Sequence, residues 1–159
     1  MKIISQLLLC LTFLFVFSCG NNEKKPEVDY GKKTPAKTES KEPASKRKDL
    51  NNKGVGPITS VDLPLVVDQE MAAEGKVIYE KMCTACHKID KKFIGPSPKG
   101  ILERRTPEWV MNMILSPEVM VKDDPLAKDL LIEFNGSPMA NQNLTKEEAR
   151  AVLEYFRTL

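Results

Sequence analysis

Cys83-Thr84-Ala85-Cys86-His87 is the stretch around which the chain is organised. A C-x-x-C-H pattern is the attachment signature of c-type haem. Two thiols one helical turn apart can each add to a vinyl group of one porphyrin, and the adjacent imidazole then reaches the iron from one face. His87 is the single histidine of the 159 residues, and of the four cysteines the other two, Cys10 and Cys19, lie in the N-terminal segment.

Three other uses of such a pentapeptide fit less well. A structural zinc site typically takes four Cys or His ligands as two separated pairs, and the region offers three crowded candidates. A thioredoxin-like C-x-x-C follows a strand in a βαβ pattern, and no convincing strand surrounds this one. A disulfide across two intervening residues leaves His87 without a role. Covalent attachment of one haem through Cys83 and Cys86, with His87 on the iron, accounts for all three side chains.

Toward the N-terminus, Met1-Lys2 precedes an apolar run from Ile3 to Phe17, about fifteen residues. That is shorter than the roughly 20 needed to cross a bilayer as a helix and suits the apolar region of a secretory signal. The run ends in Val16-Phe17-Ser18-Cys19-Gly20, which resembles the lipobox of bacterial lipoproteins. The resemblance implies a signal peptide over 1–18, acylation of Cys19, and anchoring on the periplasmic side of a bacterial membrane. The alternative is an ordinary signal peptide with an incidental cysteine; the protein is exported in either case.

Residues 19–66 read as a lipid-anchored flexible linker. From 20 to 66, ten Lys or Arg stand against seven Asp or Glu, and apolar residues are too sparse to offset the entropy of ordering. With flexible-coil statistics such a linker spans about 40 Å.

The folded domain is expected over 67–159, a one-domain length of 93 residues. Its thirteen basic and fifteen acidic side chains nearly balance, which gives no basic face for nucleic acid. No repeat, Gly-rich phosphate loop or βα alternation is present. A first helix runs from about Asp68 to the haem motif, with Ala73, Val77 and Met82 on its apolar face. Thr106-Pro107 starts a helix to about Leu115, and Ser116-Pro117 ends it in a short turn. Asp124-Pro125 starts another, closed by Asn135-Gly136. Thr145-Lys146-Glu147-Glu148 is a capping box, and Ala149, Val152, Leu153 and Phe156 follow on one stripe.

Together these residues resemble the class I (monohaem) cytochromes c. The resemblance implies an all-α fold of four to five short helices around one covalent haem c. In that family the first and last helices cross at a glycine and an aromatic residue, matched here by Gly75 and Tyr79, with Val152 and Tyr155 on the last helix. It implies that Pro96 offers its carbonyl to the second imidazole nitrogen, the alternative being an ordinary turn proline. Trp109, Arg104 and Arg105 are similar to residues that meet haem propionates; otherwise they are a core tryptophan beside two solvated arginines. Met139 lies in the irregular stretch 135–143, and its separation from His87 (139 − 87 = 52) is similar to that of the family's methionine ligand. The order Ser-Pro-Met departs from the family's Met-Pro. Met120 is the alternative ligand, while methionines within helices are more often core filler.

The function so implied is single-electron transfer between a membrane donor and a terminal reductase or oxidase, without turnover of a small substrate. The stretch from Gly95 through Trp109 to Met139 is similar to small cytochromes of anaerobic respiration, which makes nitrous oxide reductase one candidate acceptor. The competing reading is a haem-c enzyme or gas sensor with an open distal site. In the bundle proteins of that kind the motif lies near the C-terminus, whereas about seventy residues follow it here.

Overall fold

The computed structural model describes residues 42–159, all within one compact unit, Glu39–Leu159. The signal peptide 1–18, Cys19 and the linker as far as residue 41 lie outside the described residues. No helix among the described residues is long and apolar enough to cross a membrane.

Five α-helices and one 3-10 turn make the fold, with no strand among the described residues. Helix α1 is Gln69–Met82, capped by the Asp68 carboxylate, which accepts from Met71 N. The turn Ile101–Glu103 leads to α2, Pro107–Leu115, where Thr106 Oγ1 accepts from Trp109 N and proline occupies the first turn. Helix α4, Pro125–Glu133, is capped by Asp124. It ends where Asn135 (φ 59°) and Gly136 (φ 72°) turn left-handed and Gly136 N reaches back to Leu131 O at 2.8 Å. Helix α5, Lys146–Phe156, begins with the reciprocal Thr145/Glu148 capping box.

Between α2 and α4 the short turn expected after Ser116-Pro117 is instead a helix, α3, Pro117–Asp123. Proline at a first helical position is preorganised to start a helix as well as to end the preceding one. The new helix is held by Met120, which is completely buried.

Helices α1 and α5 pack closely. The buried side of α1 is Ala72, Gly75 and Tyr79, while Ala73 is exposed and Val77 is 64% exposed. The face expected from sequence was therefore misplaced. Periodicity weighs large apolar side chains, but this contact is governed by the residue with no side chain. A Cβ on Gly75 would lie 1.9 Å from the Ala151 carbonyl oxygen, so the two backbones meet only where glycine stands. Tyr79 then packs on Tyr155 and Phe156, with ring centroids 5.5 and 5.7 Å apart.

The expected linker is corrected over its second half. Residues 43–63 form a strap docked on the domain, with Ala44 buried and Ile58, Val61 and Leu63 packed against the core. The domain supplies the anchors. Asn112, 1% exposed, donates to the carbonyls of Lys53 and Ile58 and accepts from Ile58 N. Thr106 Oγ1 donates to Asn52 O, and Asn52 Nδ2 donates to Asp124. Val55 N donates to the Met120 sulfur at 3.1 Å. Composition misjudges such a segment because the partners that repay its ordering lie more than fifty residues away. A 47-residue free coil is thereby excluded, and with it the reach of about 40 Å.

Candidate cofactor site

The last turn of α1 delivers the pentapeptide. Cys83 closes the helix through its N–H to Tyr79 O, and the N–H groups of Cys86 and His87 fold back onto Cys83 O at 3.1 and 2.8 Å. Tyr79 Oη donates to His87 O at 3.0 Å. Burial, followed by the nearby Cys83 and Tyr155, pushes that phenol up to about 12, so it remains a donor. Both cysteines carry free thiols. Burial, with Cys86 beside it, raises Cys83 to about 11, as an apolar cleft does to any group that would ionise. Among the described residues no three of His, Cys, Asp and Glu converge as they would on a metal ion, so zinc finds no ligand set.

The loop after the motif orients the imidazole. Gly95 N donates to Cys86 O at 2.8 Å, bringing the loop backbone flat against the ring. A Cβ on Gly95 would lie 2.5 Å from His87 Cε1. The next carbonyl, Pro96 O, is 2.8 Å from His87 Nδ1. A carbonyl only accepts, so Nδ1 carries the proton and Nε2 keeps its lone pair, the arrangement a metal-ligating histidine needs. In the sequence Gly95 entered only as the start of a stretch similar to small cytochromes, with no contact to the ring assigned to it; its position between motif and proline is the local signal.

Cys83, Cys86 and His87 open into a cleft of about 1070 Å³, its mouth included. Its walls are apolar, among them Ile101, Leu130, Leu131 and Phe134. Met139 lines this cleft and also an adjoining cavity shared with Cys83, His87 and Pro96. Met120, the alternative ligand, lines neither cavity; it is wholly buried and its sulfur accepts from Val55 N. Met113, read from sequence as core filler, lines both cavities, and Met82 lines the larger. Gln142, three residues after Met139, also borders both.

Trp109, Arg104 and Arg105 line the cleft, but neither sequence alternative describes them fully. The Trp109 N–H donates to Asp124 Oδ1 at 3.2 Å, so the ring forms wall and its one donor is committed elsewhere. Arg104 donates to the carbonyls of Ser97, Lys99 and Gly100. Arg105 is 1% exposed and far from solvated. The Nε atoms of both arginines are buried without a partner. Buried polar atoms are ordinarily satisfied, so two orphaned donors on an apolar cleft fit a large apolar ligand that bears carboxylates. Haem is such a ligand. Cys83, Cys86 and His87 would hold it, Met139 borders it, and the arginines stand where its carboxylates could be met.

The comparisons with known proteins bear on the family. The family model described as Cytochrome c matches residues 72–159. Among solved structures the chain is similar to the cytochrome c from Rhodothermus marinus, with 39% identity and a TM-score of 0.63 over 65% of this chain and 88% of that one. It is likewise similar to an engineered cytochrome c from the same organism, at 38% identity and TM-score 0.63 over 65% and 89% of the two chains. The engineered protein bound to a carbene intermediate matches at 38% and 0.60 over 65% and 88%. No match emerges among curated protein sequences.

Proposed function

Because the chain belongs to the cytochrome c family, for which covalently bound haem c and an electron-carrier role follow, we propose that it binds a single haem and passes electrons between two protein partners. When bound, haem supplies an iron that gains and loses one electron without bond-making in a substrate. The chain's own residues do the rest. Cys83 and Cys86 would attach the macrocycle, and His87 and Met139 would ligate its iron. Pro96 O holds the Nδ1 proton and so fixes the ring and raises its basicity. A thioether ligand in addition to the imidazole would raise the potential, and with both residues on the iron no open site would remain for a substrate.

The observation that carries this reading is the convergence of the Pro96-oriented His87 and the loop-borne Met139 on one cleft. The partners we propose are a membrane donor and a terminal reductase or oxidase, nitrous oxide reductase among them. Cys19 would hold the protein, lipid-anchored, on the periplasmic side of a bacterial membrane. Visible spectra of the purified protein in both redox states, with a pyridine haemochrome assay, test the haem and its ligands. Stopped-flow oxidation by candidate reductases tests the partner.

The similar engineered cytochrome bound to a carbene intermediate supports a second reading, in which the distal side opens and small-molecule chemistry occurs there. Rapid catalytic peroxide consumption, with no electron delivered to any reductase, would favour that reading over the carrier.

A further inference from the structure

We propose that the strap is an orienting device: it moves the point where the membrane tether joins the domain from the start of α1 to the loop after the haem motif, so that a face made of Phe93, Ile94 and nearby lysines rests on anionic lipid headgroups. The inference rests on the haem and Cys19 readings above and names the surface on which the protein works.

The two possible entry points lie far apart. Were residues 43–63 a free spacer, the tether would join the domain at Asp68, the cap of α1. That end is held against the last helix, where Asp68 N donates to Glu154 and Arg157 donates to Pro64 O and Leu65 O. The 14 residues of α1 put it about 21 Å from the haem motif. The docked strap instead brings the chain in beside the cleft. Ser45 donates through its N and Oγ to the Glu133 carboxylate at 2.8 and 2.6 Å. Lys92, in the loop after the motif, pairs with the same carboxylate at 3.8 Å and donates to Glu133 O at 3.3 Å. The first residues of the strap and this loop are thus neighbours across one glutamate, and Ser45, Cys86 and Ile94 line the same cleft. The tether from Cys19 shortens from 48 residues (67 − 19) to 23 (42 − 19).

The face beside this entry suits a lipid surface. Phe93 and Ile94 are 49% and 47% exposed, and adjacent exposed apolar side chains rimmed by polar ones mark an interaction site. Lys91 precedes them, the Lys88 ammonium lies 5.2 Å from the centre of the Phe93 ring, and Lys46 and Lys48 are exposed just after Ser45. The acidic side chains nearby are paired within the domain, Asp90 with Lys99, Asp129 with Arg47 and Glu133 with Lys92. Lysines are drawn to an anionic leaflet within a Debye length, and apolar side chains settle at its headgroup boundary. A lipid surface is favoured over a protein partner because the shortened tether starts at this face and ends in the bilayer. Docked in this way, the cleft is turned toward the membrane donor.

The test uses the full-length, haem-loaded, acylated protein in phosphatidylcholine vesicles, with or without phosphatidylglycerol, that carry a fluorescent headgroup label. Haem quenches the label by energy transfer, which falls steeply with distance. Quenching is expected to rise when phosphatidylglycerol is present and to fall back in high salt. Two variants are expected to lose the rise, Phe93→Ser and the triple change Lys46→Glu, Lys48→Glu and Lys91→Glu. The triple change is expected to weaken docking by roughly a hundredfold. All four side chains are exposed, so neither variant disturbs the core. Quenching that ignores phosphatidylglycerol, or that survives either variant, overturns the proposal. If Phe93→Ser then slows electron delivery to a reductase, the face belongs to a protein partner instead. Absence of covalent haem, or failure to float with the vesicles, is a different result: it refutes the haem or the Cys19 reading, and this inference with it.

Discussion

Gly75 and Ala151 meet backbone to backbone: a Cβ on the glycine would stand 1.9 Å from the alanine carbonyl oxygen. This relationship fixes how α1 crosses α5, and through α1 it fixes where Cys83, Cys86 and His87 begin. This close approach therefore lies about two turns of α1 before Cys83.

Gly75→Ala tests the crossing. In an exposed helix the change would stabilise by about 1 kcal/mol. Here the carbonyl cannot retreat without separating the helices, so a net loss of about 1–3 kcal/mol is expected, the usual range for overpacking. Denaturant unfolding of the haem-loaded protein measures it, and a gain in stability would refute the close contact.

Glu154 ties α5 to the start of α1. Its side chain is fully buried; it pairs with Arg150 and Arg157 and accepts from Asp68 N at 2.8 Å. Burial acts to raise its carboxyl, but the Arg150 and Asp68 hydrogen bonds and the two arginine charges outweigh burial and hold it below its ordinary value. The stability it contributes is complete above the unfolded value of about 4.3 and is lost as pH falls through the lower folded value. Glu154→Gln is expected to cost about 3 kcal/mol at neutral pH, as breaking a buried pair does. The gap between the two proteins should narrow in acid; a gap that widens there contradicts the depressed carboxyl.

The axial assignment separates Met139 from Met120. Met139→Ala is expected to abolish the far-red sulfur-to-iron band and lower the potential. Met120→Ala is expected to keep the band and cost about 2–5 kcal/mol of stability, since a filled core site is emptied. Retention of the band in Met139→Ala would move attention to Met113, which lines the same cavities.

Covalent attachment through Cys83 and Cys86 predicts one haem-stained band on a denaturing gel. Stain lost on acid–acetone extraction would mean that the haem is not covalently held. Cys19→Ser is expected to shift the protein from a membrane to a soluble fraction or to block its processing. Unchanged fractionation with unchanged processing would rule out lipidation.

What the amino-acid order determined by itself is whatever acts within about one turn of chain. The C-x-x-C-H motif, the Thr145/Glu148 box and the Thr106-Pro107 and Asp124-Pro125 helix starts were legible. Each of the three helix starts pairs a side chain with backbone three residues on, as the observed caps do, and such bonds form whatever surrounds them. The all-α class of the domain was what the resemblance to the class I cytochromes c implied, and the helix crossing at Gly75 and Tyr79 was legible through the same family spacing.

Only the tertiary structure decided the rest. Which face of α1 is buried depends on α5, seventy residues later. Whether 43–63 is spacer or strap depends on Arg105, Thr106 and Asn112, whose polar groups bind the strap's backbone rather than its side chains. That Met120 does not border the cleft depends on the strap in turn, because Val55 and the core enclose it, whereas Met139 lines the cleft. Contacts of that range leave no local pattern: their free energy comes from surfaces brought together by folding, and the partner residues are written far apart in the chain.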